Sequence, residues 1–549
     1  MSGQWIALPT GHTEDSSSSK RKGEKMKRLR WIWQEDRHLG LVVVLATVMS
    51  LASFAFFYSN RLTLLYADAE SHLTIAKRVL DSPTPGLAHL GGTWLPLFHV
   101  SMLPLVWSDY MYWSGLAGSI VAMASFILAT GFIYKIALLL TDDKRAGLVA
   151  SLVFALNPNL LYMQSTPMWE TMIILCMVAS VYFLMRWGQD VNKLHYLVAT
   201  AFAVFLATLT RYENWVLLFA VVVVLLWLFI KNSFTYEKME GYMIYFGTLA
   251  GFGVLIWLVW CQLILGDFLY FYKGEYAHIA LHRGGVEAGT GSLQLSLILY
   301  SLATKENLGV ASCLLGVVGL GYYLISARLK ADKVGALILL IPFPFFVAAI
   351  YSGNSPVRIP GIAGSIDMFN TRYGLMMLPA VAVFAGYLTR KRRWVKPAVM
   401  IVVLAGAVVM FHTDSIITLN DPLKTRREWI GSIRQAEAAD WLRSHYDEGF
   451  VLMESKGNEL ITFESRIPLG NFIYEGSEGY WEKALEEPRE LVEWVVMNGA
   501  LETVRGPDKV WEALRENPQL SKNFDLVYAI QGIEIYRQGG SKWQRNRLP

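Results

Sequence analysis

The stretch LVVVLATVMSLASFAFFYSNRLTLLYADAESH, residues 41–72, pairs a long apolar run with two carboxylates placed just beyond it, Asp68 and Glu70. The run is long enough to cross a bilayer, which takes about 20 apolar residues. The acids therefore fall on the first loop of a membrane protein. Two carboxylates at a membrane surface can hold a divalent cation such as Mg or Mn, take a proton from an attacking hydroxyl, or do both.

Composition agrees with a chain bathed in lipid. Of 549 residues, 54% are hydrophobic and only 17% charged, against about 25% charged in soluble domains. The 19 Trp and 26 Tyr suit anchoring at the two membrane interfaces. The net charge of +4 is small, and no nucleic-acid partner is expected. Cys176, Cys261 and Cys313 all lie in apolar runs without disulfide or metal-ligand spacing, so they read as packing residues.

Eleven runs read as spans: Leu41 to Tyr58, Trp113 to Leu140, Ala146 to Met163, Trp169 to Trp187, His195 to Leu209, Trp215 to Ile230, Tyr242 to Leu265, Leu308 to Ile325, Val334 to Tyr351, Tyr373 to Leu388, and Val395 to Phe411. Thr93 to Trp107 and Leu293 to Leu302 are too short or too broken by Pro to cross, and read as re-entrant or interfacial. A polar, disordered leader with a basic run from Lys20 to Arg30 precedes the first span, without a cleavable signal pattern. Basic residues then recur in alternate loops, from Lys144 and Arg145 to the Arg390–Arg393 cluster. By the positive-inside rule the N-terminus is cytoplasmic and the tail after the last span is outside.

The expected organisation is a leader over residues 1–38, a polytopic α-helical membrane domain over 39–411, and an extracytoplasmic α/β domain over 412–549. In the tail, Ala436 to His445 reads as a helix, and Val451 to Met453, Trp494 to Met497, Leu526 to Ile530 and Ile533 to Tyr536 read as strands.

Sorted by side, the ionisable residues gather on the outer face. Asp68 and Glu70 follow span one, Glu170 opens span four, Arg211 and Glu213 lie between spans five and six, and Arg372 opens span ten. Ionisable groups at membrane depth are costly and usually functional. Arginine forks suit a phosphate and a carboxylate suits activation of a hydroxyl, a combination that fits transfer of a group from a lipid phosphate to an alcohol. Plainer readings stand beside these. The acids can cap helix starts, Arg211 and Glu213 can form a local ion pair, Arg372 can snorkel, and Arg78 can only balance charge. His72 and His99 are weak metal-ligand candidates. The loop from Gly266 to Glu306, with Tyr270, Tyr272, Tyr276, His278, His282 and Arg283 followed by paired glycines, reads as an aromatic surface plus a mobile lid, or as an ordinary loop.

Tyr66-Ala67-Asp68-Ala69-Glu70-Ser71-His72, Asn157-Pro158 with Ser165 to Glu170, Arg211-Tyr212-Glu213 and Arg372-Tyr373 resemble the motifs of the GT-C superfamily of membrane glycosyltransferases. They are most similar to the branch of dolichyl- or polyprenyl-phosphate-mannose protein mannosyltransferases, which includes lipid A aminoarabinose transferases. The resemblance implies inverting transfer of mannose or another hexose from a polyprenyl-phosphate donor to a protein, lipid or glycan acceptor outside the cytoplasm. It places the base on Asp68, with Glu70 as its partner or a cation ligand. Arg372 and Arg211 would hold the donor phosphate, and Glu170, Glu213, Tyr373 and His72 would line the substrate. Relatives that work without a metal carry adjacent acids, whereas this chain has Asp-x-Glu, which leaves cation use open. The Trp-Trp-Asp-Tyr-Gly signature of oligosaccharyltransferases is absent from the tail. The alternatives are a transporter or flippase of a lipid-linked sugar, for which internal repeats and helices broken at mid-membrane would speak, and a membrane scaffold.

Overall fold

The computed structural model describes residues 37–539, apart from 275, 278–286, 328–329, 331, 366, 391–393, 414 and 500–507. The expected leader over 1–38 lies almost wholly outside the described residues, as do His278, His282 and Arg283 of the outer loop.

The membrane part runs α1 (Arg37–Ser59), α2 (Ala67–Arg78), α3 (Leu97–Val106), α4 (Leu116–Thr141), α5 (Lys144–Ala155), α6 (Pro158–Met163), α7 (Glu170–Gln189), α8 (Leu194–Thr208), α9 (Glu213–Lys231), α10 (Tyr236–Leu265), α11 (Leu293–Leu308), α12 (Val310–Ala327), α13 (Pro342–Tyr351), α14 (Leu378–Leu388) and α15 (Val395–His412). Two 3-10 segments, Val334–Leu340 and Thr371–Met377, lead into α13 and α14. Among the described residues nine helical stretches are long and apolar enough to span a bilayer.

All eleven expected runs are helical, but two fall short of that length. Leu194–Thr208 is one of them. The other, Ala146 to Met163, is two helices, because Asn157 caps the second through its side chain and Pro158 occupies the first position of that second helix. Proline is well suited to a first helical turn and cannot continue a preceding helix. The expected interfacial piece at Leu293 is a full 16-residue helix, α11.

Two glycines allow the close approaches that shape the end of the bundle carrying Arg372. A Cβ at Gly118 of α4 would sit 2.4 Å from Pro167 Cβ, so the turn before α7 rests directly on α4. A Cβ at Gly374 would sit 2.3 Å from the Ala303 carbonyl oxygen, so the 3-10 segment carrying Arg372 lies backbone against α11.

Beyond α15 the chain forms α16 (Ile417–Glu428) and α17 (Ile430–His445), then a five-stranded open sheet. Its strands are β1 (Val451–Leu452), β2 (Phe472–Ile473), β3 (Trp494–Asn498), β4 (Phe524–Ile530) and β5 (Ile533–Gln538), in the order β2-β1-β3-β5-β4. The first three are parallel, and β5 and β4 are added antiparallel. β3 is buried along its whole length, as suits a continuous apolar run at a sheet's centre. β5 alternates buried and half-buried positions, so only one of its faces meets the core. β2, only two residues long, is the strand its sequence did not announce.

The sheet docks on the segments after α1 and α10. Arg78, expected only to balance charge, is buried: its guanidinium lies 3.7 Å from the centroid of Tyr474 and donates to Ser455 Oγ at 3.0 Å. Gly470 N donates to Asp81 at 3.0 Å, and Tyr276 of the loop after α10 donates to Glu475.

Candidate active site

α2 opens at Ala67 with Asp68 and Glu70 in its first turn, where carboxylates complement the helix dipole. Residues two apart on a helix differ by about 200° around its axis. The two acids accordingly part company. Asp68 accepts from Arg372 Nη2 at 2.5 Å. Glu70 accepts instead from Arg426, at the end of α16.

Arg372 is the hub of the first group. Its Nε donates to Glu170 Oε1 at 3.1 Å while Nη2 holds Asp68, so one guanidinium bridges acids from two distant helices. Its plane lies 4.9 Å from the Tyr66 centroid and 5.5 Å from that of Tyr373. Arg372 is therefore no snorkelling residue; it is buried in the bundle end. Glu170 is the first residue of α7 and fully buried, and its second oxygen has no hydrogen-bond partner among the described residues.

Arg211 also lies against Tyr373, 4.6 Å from its centroid and 5.4 Å from that of Trp169. It also makes the local ion pair with Glu213, at 3.0 Å. The Tyr373 ring thus lies within cation–π reach of both guanidinium groups.

His72, one turn on from Asp68, enters an aromatic box with Trp94 and Trp169, each with its centroid 4.4 Å away. Its Nδ1 is 2.9 Å from His99 Nε2. Burial, then His99 and the two arginines, hold the His72 imidazole well below its ordinary value and so neutral. His72 Nε2, His99 Nδ1 and Trp169 Nε1 are buried without hydrogen-bond partners among the described residues.

Asp68, Glu170, Arg372, Tyr373 and Arg211 are thus brought into one cluster, with Glu213 attached through Arg211 and His72 behind the Trp169 wall. Glu70 is not part of it. Asp68 and Glu70 do not fit as joint ligands of a divalent cation: they diverge, and each faces a guanidinium that would repel the ion. Among the described residues no three His, Cys, Asp or Glu side chains gather at metal-ligand spacing.

Several contributors were not foreseen. Arg426 binds Glu70, Glu464 and the carbonyls of Leu64 and Leu65, and so ties the start of α2 to the tail. Asn159 accepts from the backbone and hydroxyl of Thr418, whose carbonyl takes the Tyr66 hydroxyl at 2.7 Å. Asn307 receives the amides of Asn157 and Asn159 and donates to the Thr371 carbonyl at 2.6 Å, fixing the residue before Arg372. In sequence, Arg426 is one of several charges in Lys424 to Glu428, with nothing to single it out.

A protein-family model described as dolichyl-phosphate-mannose-protein mannosyltransferase matches residues 111–260. Among solved structures, ArnT from Cupriavidus metallidurans bound to undecaprenyl phosphate aligns at 13% identity and TM-score 0.56, covering 91% of this chain and 98% of that one. The apo state of the same protein aligns at 13% identity and TM-score 0.54, covering 90% and 97%. No curated protein sequence matches. What is shared at this identity is the fold, which in this chain is a polytopic helical bundle followed by an open sheet, the fold class its motifs led one to expect.

Proposed function

We propose that the chain is a glycosyltransferase that moves a sugar, mannose or another hexose, from a polyprenyl-phosphate donor to an acceptor hydroxyl on the side of the membrane where the tail lies. The observation that carries this reading is the single guanidinium of Arg372 shared between Asp68 and the buried Glu170. The likeness in fold to ArnT, solved with undecaprenyl phosphate, and the match over residues 111–260 support the donor class.

The chemistry follows from the cluster. Arg372 and Arg211, both against the Tyr373 ring, offer a fork and a second positive charge to the donor phosphate. A phosphate arriving at Arg372 competes with Asp68 for the same nitrogen atoms. Displaced from that ion pair, Asp68 is free to take the proton of the acceptor hydroxyl as that oxygen attacks the anomeric carbon from the face opposite the phosphate. The leaving phosphate keeps the electron pair, and the arginines stabilise the charge that grows there. Attack from the opposite face inverts the anomeric centre. Glu170 keeps Arg372 oriented throughout. The unpartnered atoms of Glu170 and Trp169 are hydrogen-bonding groups for sugar hydroxyls. Glu70 serves the structure of α2 and not the reaction, and no step needs a metal bridging the two acids.

The proposed orientation keeps the N-terminus in the cytoplasm and residues 412–549 outside as one α/β domain, with the membrane domain over 39–411. Purified protein with radiolabelled polyprenyl-phosphate mannose and candidate acceptors tests the whole reading. Asp68→Asn should bind the donor yet transfer no sugar; wild-type transfer by this variant eliminates Asp68 as the base.

A further inference from the structure

The cluster around Arg372 uses one end of the bundle, and the other end carries a second charged pocket. From Arg372, the 3-10 turn and α14 run about 30 Å to Arg390. There the ends of α4, α12 and α14 meet around a cavity of about 330 Å³ whose walls include Thr141, Asp142, Ser326, Lys330, Lys333 and Arg390. Among the described lining residues three cations face one carboxylate.

The plain reading is that cations sit at helix C-termini to complement their dipoles. It accounts for Lys333, whose Nζ donates to the Leu140 carbonyl at 2.8 Å. It does not account for Arg390. That guanidinium lies 4.6 Å from the Tyr387 centroid and 5.5 Å from that of Tyr322, and it donates to the Tyr387 hydroxyl, which in turn bonds Ser326 at 2.9 Å. Its hydrogen-bond partner is a phenol and Lys333's is a carbonyl, so neither of these cations is neutralised by the group that holds it. The guanidinium is fixed in place by tyrosines and keeps donors to spare. An excess of positive charge in a concave site focuses attraction on anions. The site lies where spanning helices end, at the depth of lipid headgroups, where basic pockets between helices bind headgroup phosphates.

We propose that this pocket binds the phosphate of an anionic lipid headgroup in the leaflet opposite the Arg372 cluster. The proposal is independent of the transferase reading. It is tested on the full-length purified protein by native mass spectrometry with short-chain phosphatidic acid, with inorganic phosphate, and with phosphatidylcholine of the same chain length. Phosphatidic acid should bind in preference to phosphatidylcholine. Arg390→Gln and Lys330→Gln should each weaken it about five-fold, the worth of one cation near anionic lipid. Asp142→Asn should strengthen it by a similar factor, and Asn tolerates the positive φ of 55° found there. The opposite sign for Asp142→Asn separates an electrostatic site from a general loss of fold. Unchanged binding in all three variants, or equal binding of phosphatidylcholine, overturns the proposal. Inorganic phosphate binding as tightly as the lipid overturns the lipid assignment and gives the pocket to free phosphate.

Discussion

Asp68 and Glu70 share one helical turn and the same chemistry, yet they end in different worlds. The Asp68 side chain keeps 39% of its exposure while holding Arg372; that of Glu70 keeps 2% and is locked on Arg426. One carboxylate remains reachable by a substrate. The other is sealed under the tail as a fastening. The difference teaches that residue type and proximity in sequence do not set a role; the partner arginine and access to water do.

The comparison breaks most visibly in rates. Loss of a general base costs roughly 10²–10⁴-fold, so Asp68→Asn should lose that much transfer while Glu70→Gln stays within a few-fold. The reverse ranking in the mannosyl-transfer assay would exchange their roles. Stability should show the opposite pattern. Arg426→Met strips the buried Glu70 carboxyl, which burial already pushes up to about 8, of the guanidinium that holds it, and breaking such a buried pair costs about 3–5 kcal/mol. It should lower the thermal unfolding midpoint sharply, and adding Glu70→Leu should recover much of the loss. No recovery would mean that Arg426 acts through Glu464 or the α2 carbonyls instead.

Arg372→Lys sharpens the other half. The charge stays but the fork that reaches Asp68 and Glu170 together is lost. Donor affinity should fall about ten-fold, roughly one charge-assisted hydrogen bond, as read by titration with the lipid phosphate.

The smallest effect lies in the sheet, away from both acids. Burial, helped by Glu475 and Asp508, pushes the Glu454 carboxyl up to about 7, and burial lifts Asp508 to about 6. The folded state therefore holds these protons more tightly than the unfolded one. Their contribution is fully present at low pH and is lost as pH rises through about 6 to 7. Hydrogen exchange at β1 and β3, corrected for intrinsic rates, should show faster opening at pH 8 than at pH 5.5, and Glu454→Gln should flatten that dependence. An unchanged slope in the variant assigns the effect elsewhere.

Much of this was legible in the sequence. Apolar runs marked every spanning helix, and sorting charges by side put Asp68, Glu170, Arg211 and Arg372 on one face. Pro158 breaks a helix that the apolar run by itself predicts to continue, because hydrophobic length carries no record of the missing N–H. Arg426 and Asn307 were illegible: a surface-like charge cluster and a polar residue at a helix end look ordinary until the tail folds back. The divergence of Asp68 and Glu70 is not visible in the Asp-x-Glu spacing itself; it comes from the helix, which turns the two side chains apart.

Hydrophobic length and charge asymmetry are properties of short segments, since a bilayer selects them one at a time. For that reason the chain alone determined that it is a polytopic membrane protein, where its spans lie and which ionisable residues crowd one end. Which carboxylate stays open, which arginine bridges two acids and what the tail seals depend on contacts between residues hundreds of positions apart. Only packing in three dimensions decides those, because burial and ion pairing belong to neighbours in space.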